Sequence, residues 1–277
     1  MIRTATRLKA KIRNLSGGDS TKAQTLIRNF IMERFLERIA LSQYRNNFIL
    51  KGGMLVSSVV GLDMRATMDI DTTVKSLELS KENAVKIVEE IIAVEIPDGV
   101  HFTITKVTDI MEMHDYPGIR FMLEATLDNL RNTIKIDIST GDVITPEAVE
   151  YSYNLMFEDR AISLWTYNLE TLLAEKLETI MARATANTRM RDFYDIYVIS
   201  RQKPFDPTIL KMAFLATSSE RNTADQITDF RSILETVEAD NVMRRQWENF
   251  RKESFFVGEL TWNEVMGSVK LLAESVI

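Results

Sequence analysis

Two spacings of apolar residues run along the chain. In "TIKIDIS", Ile134, Ile136 and Ile138 alternate with Thr133, Lys135, Asp137 and Ser139, the two-residue period of a strand with one apolar and one polar face. "HFTITKV" from His101 and "GIRFMLEATL" from Gly118 alternate in the same way, with "DNLRN" as the hairpin connection between the last two strands. Elsewhere the period is helical. Ala23, Leu26, Ile27, Phe30, Ile31 and Phe35 recur at helical spacing behind the capping residues Asp19 and Ser20, which predicts an amphipathic helix to about Tyr44. Ser80 caps a second helix carrying Ala84, Val85, Ile87, Val88, Ile91 and Ile92. "NFILKGGMLVSSVVGL" reads as a short strand, a Gly-Gly turn and a helix opening near Met54. From about Ser163 helical periods dominate and no strand is predicted. The fold class that follows is α+β and bilobed: a mixed-sheet lobe with N-terminal helices over residues 1–158, then a mostly α-helical lobe over 159–277.

Composition narrows the chemistry more than the fold. With 45% hydrophobic and 27% charged residues, the chain has the balance of a soluble globular protein. No apolar run approaches the roughly 20 residues needed to span a bilayer, and the N-terminus lacks a signal-peptide layout, so a cytoplasmic location is expected. There is no cysteine, and His101 and His114 are the only histidines. Disulfides, thiol catalysis and Cys/His zinc sites are thereby excluded, and any metal must be a hard ion held by oxygen. The net charge of −6 argues against non-specific coating of nucleic acid. It leaves room for a local basic patch, such as the arm from Arg3 to Arg13 with its five bases and no acid.

The acids sit where a strand would not ordinarily carry them. In "MRATMDIDTTV", Asp69, Asp71 and Thr73 share one face of a predicted strand, and Met68, Ile70, Thr72 and Val74 share the other. Two carboxylates this close repel unless a cation, a positive ligand or open water lies between them. Asp137 is a third strand acid on a polar face. If the two strands are neighbours, three carboxylates converge on one wall, the set that a pair of magnesium ions needs beside a triphosphate. Gly52 and Gly53 stand just upstream, where a glycine turn opening a helix would let backbone N–H groups approach phosphate.

A cationic half follows. Leu169, Leu172, Leu173, Leu177, Ile180 and Met181 form a helical stripe, and Lys176 and Arg183 project from one side of that helix. On the next helix, beginning near Arg191, Asp192 and Asp195 share a face. Lys176 could neutralise phosphate charge, or it and Arg183 could simply pair with Asp192 or Asp195; the spacing alone allows either.

Taken in order, "KGGMLVSSVVGLDMRATMDID", "KIDIS", "LAEKLETIMAR" and "RMRDFYDIY" resemble the four motifs of the AbiEii/AbiGii family of bacterial toxins. These are DNA-polymerase-β-like nucleotidyltransferases of abortive phage-infection systems. The resemblance covers about Lys51 to Tyr197 and places the glycine-led D-x-D motif on Gly52, Gly53, Asp69 and Asp71. It places K-x-D on Lys135 and Asp137, the third-motif lysine on Lys176, and the fourth motif on Arg183 and Asp192. The family commonly has serine after the glycine where Met54 stands here, so backbone N–H groups or Ser57 would have to serve the phosphates.

What the resemblance implies is concrete. Asp69, Asp71 and Asp137 would hold Mg2+ (or Mn2+) and, with Lys176 and Asp192, form the catalytic set; Gly52, Gly53, Ser57, Lys135, Lys176 and Arg183 would bind the nucleotide. An NTP, with GTP as a plausible donor, would give up its NMP to an RNA acceptor, the 3′ end of tRNA. A cognate AbiEi-like antitoxin is expected to be encoded nearby, without a stable complex. Two other readings use the same residues: a magnesium-dependent nuclease, and a non-catalytic module that binds a nucleotide or a partner.

Overall fold

The computed structural model describes residues 1–110 and 118–276, so His114 lies outside the described residues. Contacts divide the chain into two compact units. The first comprises Met1–Ser58, Ala66–Asp142 and Val149–Thr166; the second comprises Val59–Arg65, Val143–Ala148 and Tyr167–Ile277. The border expected at residue 158 therefore runs through the first unit.

The first unit opens with α1 (Ala5–Ser16), α2 (Ser20–Leu41), β1 (Phe48–Lys51), α3 (Gly52–Val60), β2 (Asp69–Val74) and α4 (Lys81–Ile92). Five further strands follow: β3 (His101–Ile110), β4 (Gly118–Leu127), β5 (Leu130–Thr140), β6 (Val149–Asn154) and β7 (Ala161–Thr166). They form one mixed sheet of seven strands in the order β3-β4-β5-β2-β1-β7-β6. β2 runs parallel to β5, and β1 parallel to β7; the other neighbours are antiparallel. The predicted β4–β5 hairpin is present, closing on the pair Leu127↔Leu130.

Ile70 of β2, Ile134, Ile136 and Ile138 of β5, and Phe121 and Leu123 of β4 bury the apolar side of these strands. α2 packs against β5 and β7. It is capped as predicted, Asp19 accepting from the N–H groups of Thr21 and Lys22, but it is not amphipathic throughout. From Asn29 to Ile39 every residue is buried, including four charged ones. Arg34, Glu37 and Arg38 are paired inside the unit, whereas Glu33 accepts from Asn29 and from Met156 N–H, and burial pushes its carboxyl up to about 8. Arg38 grips Asp98 through two nitrogens, at 2.8 and 3.1 Å, and donates to the carbonyl of Val100 at 2.8 Å. Arg34 meets Glu37 at 2.8 Å and Glu158 at 3.2 Å, and Arg160 closes on both acids at 2.6 Å.

The expected N-terminal helices are present, and the basic arm lies on the first of them: Ile2, Ala5, Leu8 and Ile12 are buried at three- and four-residue steps, and the five bases point to water. Two local expectations are corrected. The helix expected near Met54 begins at Gly52. Strand β7 lies beyond the stretch where strands were expected to end, with Ile162, Leu164 and Thr166 turned inward.

The second unit is helical apart from its two short leading segments: α5 (Leu169–Arg183), α6 (Met190–Gln202), α7 (Pro207–Glu220), α8 (Phe230–Ala239), α9 (Asn241–Glu253) and α10 (Trp262–Val276). Asn168 caps α5 by accepting from Thr171 N–H, and Asp206 caps α7 with Pro207 in its first turn. Trp247 and Trp262 stack obliquely at 6.0 Å, and Phe193 lies 5.1 Å from Trp262, building an aromatic core among α6, α9 and α10.

Candidate active site

The strand register assembles the acids. Asp71 stands directly opposite Lys51 on β1 and Asp137 on β5, and Asp137 stands opposite Arg120 on β4. Residues opposite one another project to the same face, so Lys51, Asp71, Asp137 and Arg120 form one cross-strand row with its two acids in the middle. Asp69 pairs with Lys135 two residues along the same face. The expectation that the Asp69/Asp71 strand neighbours the Asp137 strand is met, in a parallel pairing.

Cations of the first unit already hold these carboxylates. Arg120 donates Nε to one oxygen of Asp137 and Nη2 to the other, each at 2.8 Å. Lys135 Nζ is 2.6 Å from Asp69 Oδ2 and 3.7 Å from Asp137 Oδ2. Thr67 donates its hydroxyl to Asp69 Oδ1 at 3.0 Å. At the far end of the row Lys51 Nζ is 2.5 Å from Asp142 Oδ2, to which Ser139 also donates at 2.8 Å. Burial pushes the Asp142 carboxyl up, but Lys51 and the hydrogen bonds outweigh it, and the net direction is down. Asp71 goes the other way. Burial first, then the negative charges of Asp69 and Asp137, push its carboxyl up to about 6 against the opposing pull of Lys51 and Lys135.

Gly52 explains itself at this point. Its φ of +65° suits glycine, and a Cβ built there would lie 2.1 Å from Asp71 Oδ2. The chain thus closes onto the carboxylate itself. Gly52→Ala should force Asp71 out of the row and strain the backbone by roughly 1–3 kcal/mol. We expect Asp71-dependent activity to fall at least about a hundredfold, a larger loss than strain alone explains; activity within a factor of two of wild type would show that the approach is dispensable.

Other predicted residues stand elsewhere. Ser57 is buried and donates its hydroxyl to Gly53's carbonyl at 2.8 Å, so it does not offer that hydroxyl to a phosphate. Met54 is fully buried in the core. Gly53 lies in the first turn of α3, where helix N–H groups lack intrahelical partners.

In the second unit, Lys176 on α5 meets two acids of α6, Asp192 at 2.8 Å and Asp195 at 2.7 Å. Asp195 is 0% exposed and also takes Arg65 Nε at 2.6 Å. Burial alone would lower the Lys176 ammonium and raise the Asp195 carboxyl; the opposite charges win, holding Lys176 high and Asp195 low. The pairing alternative for Lys176 is therefore realised, with both candidate acids at once. Arg183 ends α5, half-buried. Sequence reading missed Arg65, whose partner is 130 residues away, and Arg120.

The donor set of the first unit suits a hard divalent ion in kind, since Asp69, Asp71 and Asp137 offer carboxylate oxygen from one face. Among the described residues, however, no three acids or histidines are grouped closely enough to form a metal site as they stand. Arg120 and Lys135 occupy the oxygens instead.

In fold, the chain is similar to the crystal structure of JHP933 from Helicobacter pylori, with a TM-score of 0.54 at 14% identity over 91% of each chain. A candidate nucleotidyltransferase from the same organism gives a TM-score of 0.49 at 15% identity, covering 91% of this chain and 96% of its own. No curated protein matches the sequence. Residues 34–267 fit the family model of the nucleotidyl transferase AbiEii toxin of type IV toxin–antitoxin systems. The chain is thus a nucleotidyltransferase by class. Within that class it belongs to the AbiEii toxin family, in agreement with the resemblance carried by its four motifs.

Proposed function

We propose that this toxin transfers a nucleoside monophosphate from an NTP to an RNA acceptor, with the 3′ end of tRNA as the acceptor that the family resemblance implies. The observation that carries the reading is the row Lys51–Asp71–Asp137–Arg120, with Asp69 beside it and Gly52 closed against Asp71. A row of this kind suits charge that changes hands near several phosphates. Asp69, Asp71 and Asp137 would hold Mg2+ or Mn2+. Bound there, the metal supplies a Lewis acid for the phosphoryl oxygens and for the attacking hydroxyl. The hydroxyl would give its proton to solvent as its oxygen attacks the α-phosphorus, the bond from that phosphorus to the α–β bridging oxygen would break, and pyrophosphate would leave.

The chain's own groups would do the rest. Burial and the negative charges of Asp69 and Asp137 disfavour the ionised form of Asp71, and a neighbouring cation would relieve that. Lys135 would steady the phosphates, and the opening N–H groups of α3, at Gly52 and Gly53, favour anionic oxygen. Asp192 and Asp195 outweigh burial and hold the Lys176 ammonium high; Lys176 and Arg183 are the cations that the family resemblance assigns to the third and fourth motifs. The outward bases of α1 offer an RNA backbone salt-sensitive contacts. GTP as donor, a cytoplasmic location and an AbiEi-like antitoxin that acts without a stable complex complete the reading.

The test is incubation with each of the four α-labelled NTPs, total RNA and Mg2+. We expect label to enter RNA from one NTP in preference to the others. RNA that is shortened and carries no label would mean a nuclease, and unchanged RNA would mean a binding module. In cells, Asp71→Ala and Lys176→Ala should lift growth arrest when the variants accumulate as folded protein; arrest that persists in both removes the catalytic assignment.

A further inference from the structure

The face that carries the carboxylate row continues beyond it. On β4, Phe121, Leu123 and Ala125 are buried, while the residues between them are half-buried on the other side. Strand register carries this polar side outward: Lys106 on β3 stands beside Met122, Thr103 beside Glu124, and Thr126 beside Arg131. Arg131 lies about 20 Å from Asp137 along β5, at roughly 3.3 Å per residue. Helix α1 begins at that far end. Asp128, in the β4–β5 turn, accepts from the N–H of Ala5 at 2.8 Å, and a Cβ on Gly99, just before β3, would lie 2.8 Å from the carbonyl oxygen of Arg3. The first bases of α1, Arg3 and Arg7, thus stand at the turn end of the sheet.

Charge follows the same line. Arg3, Arg7 and Lys106 are exposed and make no ion pair among the described residues. Arg131 is 74% exposed and meets Glu124 at 3.5 Å, a surface pair that binds either partner weakly. With a net charge of −6 the chain repels a polyanion over most of its surface, so an open strip of bases and hydroxyls is where one would settle. The row also has a direction. α3 opens at its β1 end, where the proposed function puts the triphosphate. In-line displacement sets the attacking hydroxyl across the α-phosphorus from the pyrophosphate, towards β5 and β4.

We propose that the open side of β3, β4 and β5 is the path of the acceptor RNA. The last unpaired nucleotides run along it from Asp137 to Arg131, and the phosphates behind them reach α1. The inference rests on the transferase reading and gives its acceptor a place. Lys106 and Arg131 hold phosphates, while Thr103, Thr126 and Thr133 offer hydroxyls to phosphate and to 2′-OH groups.

Fluorescence anisotropy tests this without NTP, divalent ion or turnover, using a 5′-labelled RNA hairpin with either a short unpaired 3′ end or a blunt one. We expect the unpaired end to tighten binding to wild-type protein about threefold or more. Lys106→Glu combined with Arg131→Glu should weaken binding of the tailed hairpin about tenfold or more and lower its salt slope by about 2, at an unchanged melting temperature. Lys86→Glu combined with Lys252→Glu makes the same change of charge on exposed positions of α4 and α9, and should weaken it less than about threefold. A control as weak as the path variant reduces the effect to net charge and overturns the proposal, as does a blunt hairpin that binds as tightly as the tailed one. If neither hairpin binds, the face belongs to another occupant, a protein partner first, and the proposal falls. Labelled NTP and Mg2+ then separate the two readings. Transfer with an unchanged KM for RNA in the path variant sinks the path alone; RNA that is bound along the path but never labelled sinks the transferase reading, and the acceptor role of the path with it. The tailed and blunt hairpins decide on wild-type protein even where a variant fails to fold.

Discussion

Asp71→Asn should abolish nucleotidyl transfer and at the same time stabilise the fold. The two effects have one cause. The carboxyl of Asp71 is desolvated and faces Asp69 and Asp137, which raises it from 3.8 to about 6. A group raised on folding contributes its full stability below its unfolded value and loses it as pH climbs through the folded one. For Asp71 that loss falls between about pH 4 and pH 6 and is of the order of 3 kcal/mol. Above pH 6 the wild-type protein therefore carries an ionised acid that its surroundings disfavour. Asparagine has the same shape without the charge, so the variant should melt higher at pH 8, with a smaller gain at pH 5, both measured without divalent ions. Transfer should drop by about a thousandfold or more, since the proposed function gives this carboxylate a divalent ion to hold and an amide holds one far more weakly. A variant that melts lower at pH 8 would contradict the electrostatic account, whatever its activity.

The largest loss of stability should come from the opposite kind of site. Asp98 is 0% exposed and Arg38 about 4%, and each oxygen of the acid accepts from the guanidinium. Asp98 also takes Val100 N–H at 2.9 Å, so it ties α2 to the start of β3. Asp98→Ala leaves the guanidinium buried without its counter-ion and should cost about 3–5 kcal/mol in denaturant unfolding. Arg38→Ala should cost about as much for the mirror-image reason. Removing both charges, in Arg38→Met with Asp98→Ala, should cost less than the sum of the single changes. Strict additivity would mean that the two side chains contribute independently rather than as a pair.

Much of the first unit could be read from the sequence because its strands are long and alternate cleanly. The "TIKIDIS" strand, the β4–β5 hairpin and the caps Asp19 and Ser80 are local signals, and each appears where expected. β7 was not readable. Six residues of alternation do not outweigh a helical run that begins three residues later, and its partner β1 lies more than a hundred residues upstream. The docked face of α1 was the unread part: the five bases drew attention to its outer side, while Ile2, Ala5, Leu8 and Ile12 carry the buried one.

The carboxylate row was half legible. Two acids on a predicted strand and a third on another pointed to one another, and the parallel register between β2 and β5 joins them. Arg120 could also have been found. A two-residue turn fixes the hairpin register, and counting back from Leu127↔Leu130 puts Arg120 opposite Asp137. Arg65 offered no such signal, because only the folded helices bring it to Asp195. The buried ions of α2 were unreadable for a related reason. Arg34, Glu37 and Arg38 look like an ordinary solvated face until Asp98, Glu158 and Arg160 arrive from distant segments.

The seating of β5 beside β2 has a bearing on how a cell survives making this protein. Asp71 and Asp137 are separated by an α-helix and two further strands in chain order, and they meet only once β5 has zipped alongside. A nascent polypeptide still lacking that strand holds one half of its weapon. Ribosomes that stall, or messages cut short upstream of it, should release inert fragments, and poisoning should begin only with completed synthesis of the sheet's central strands.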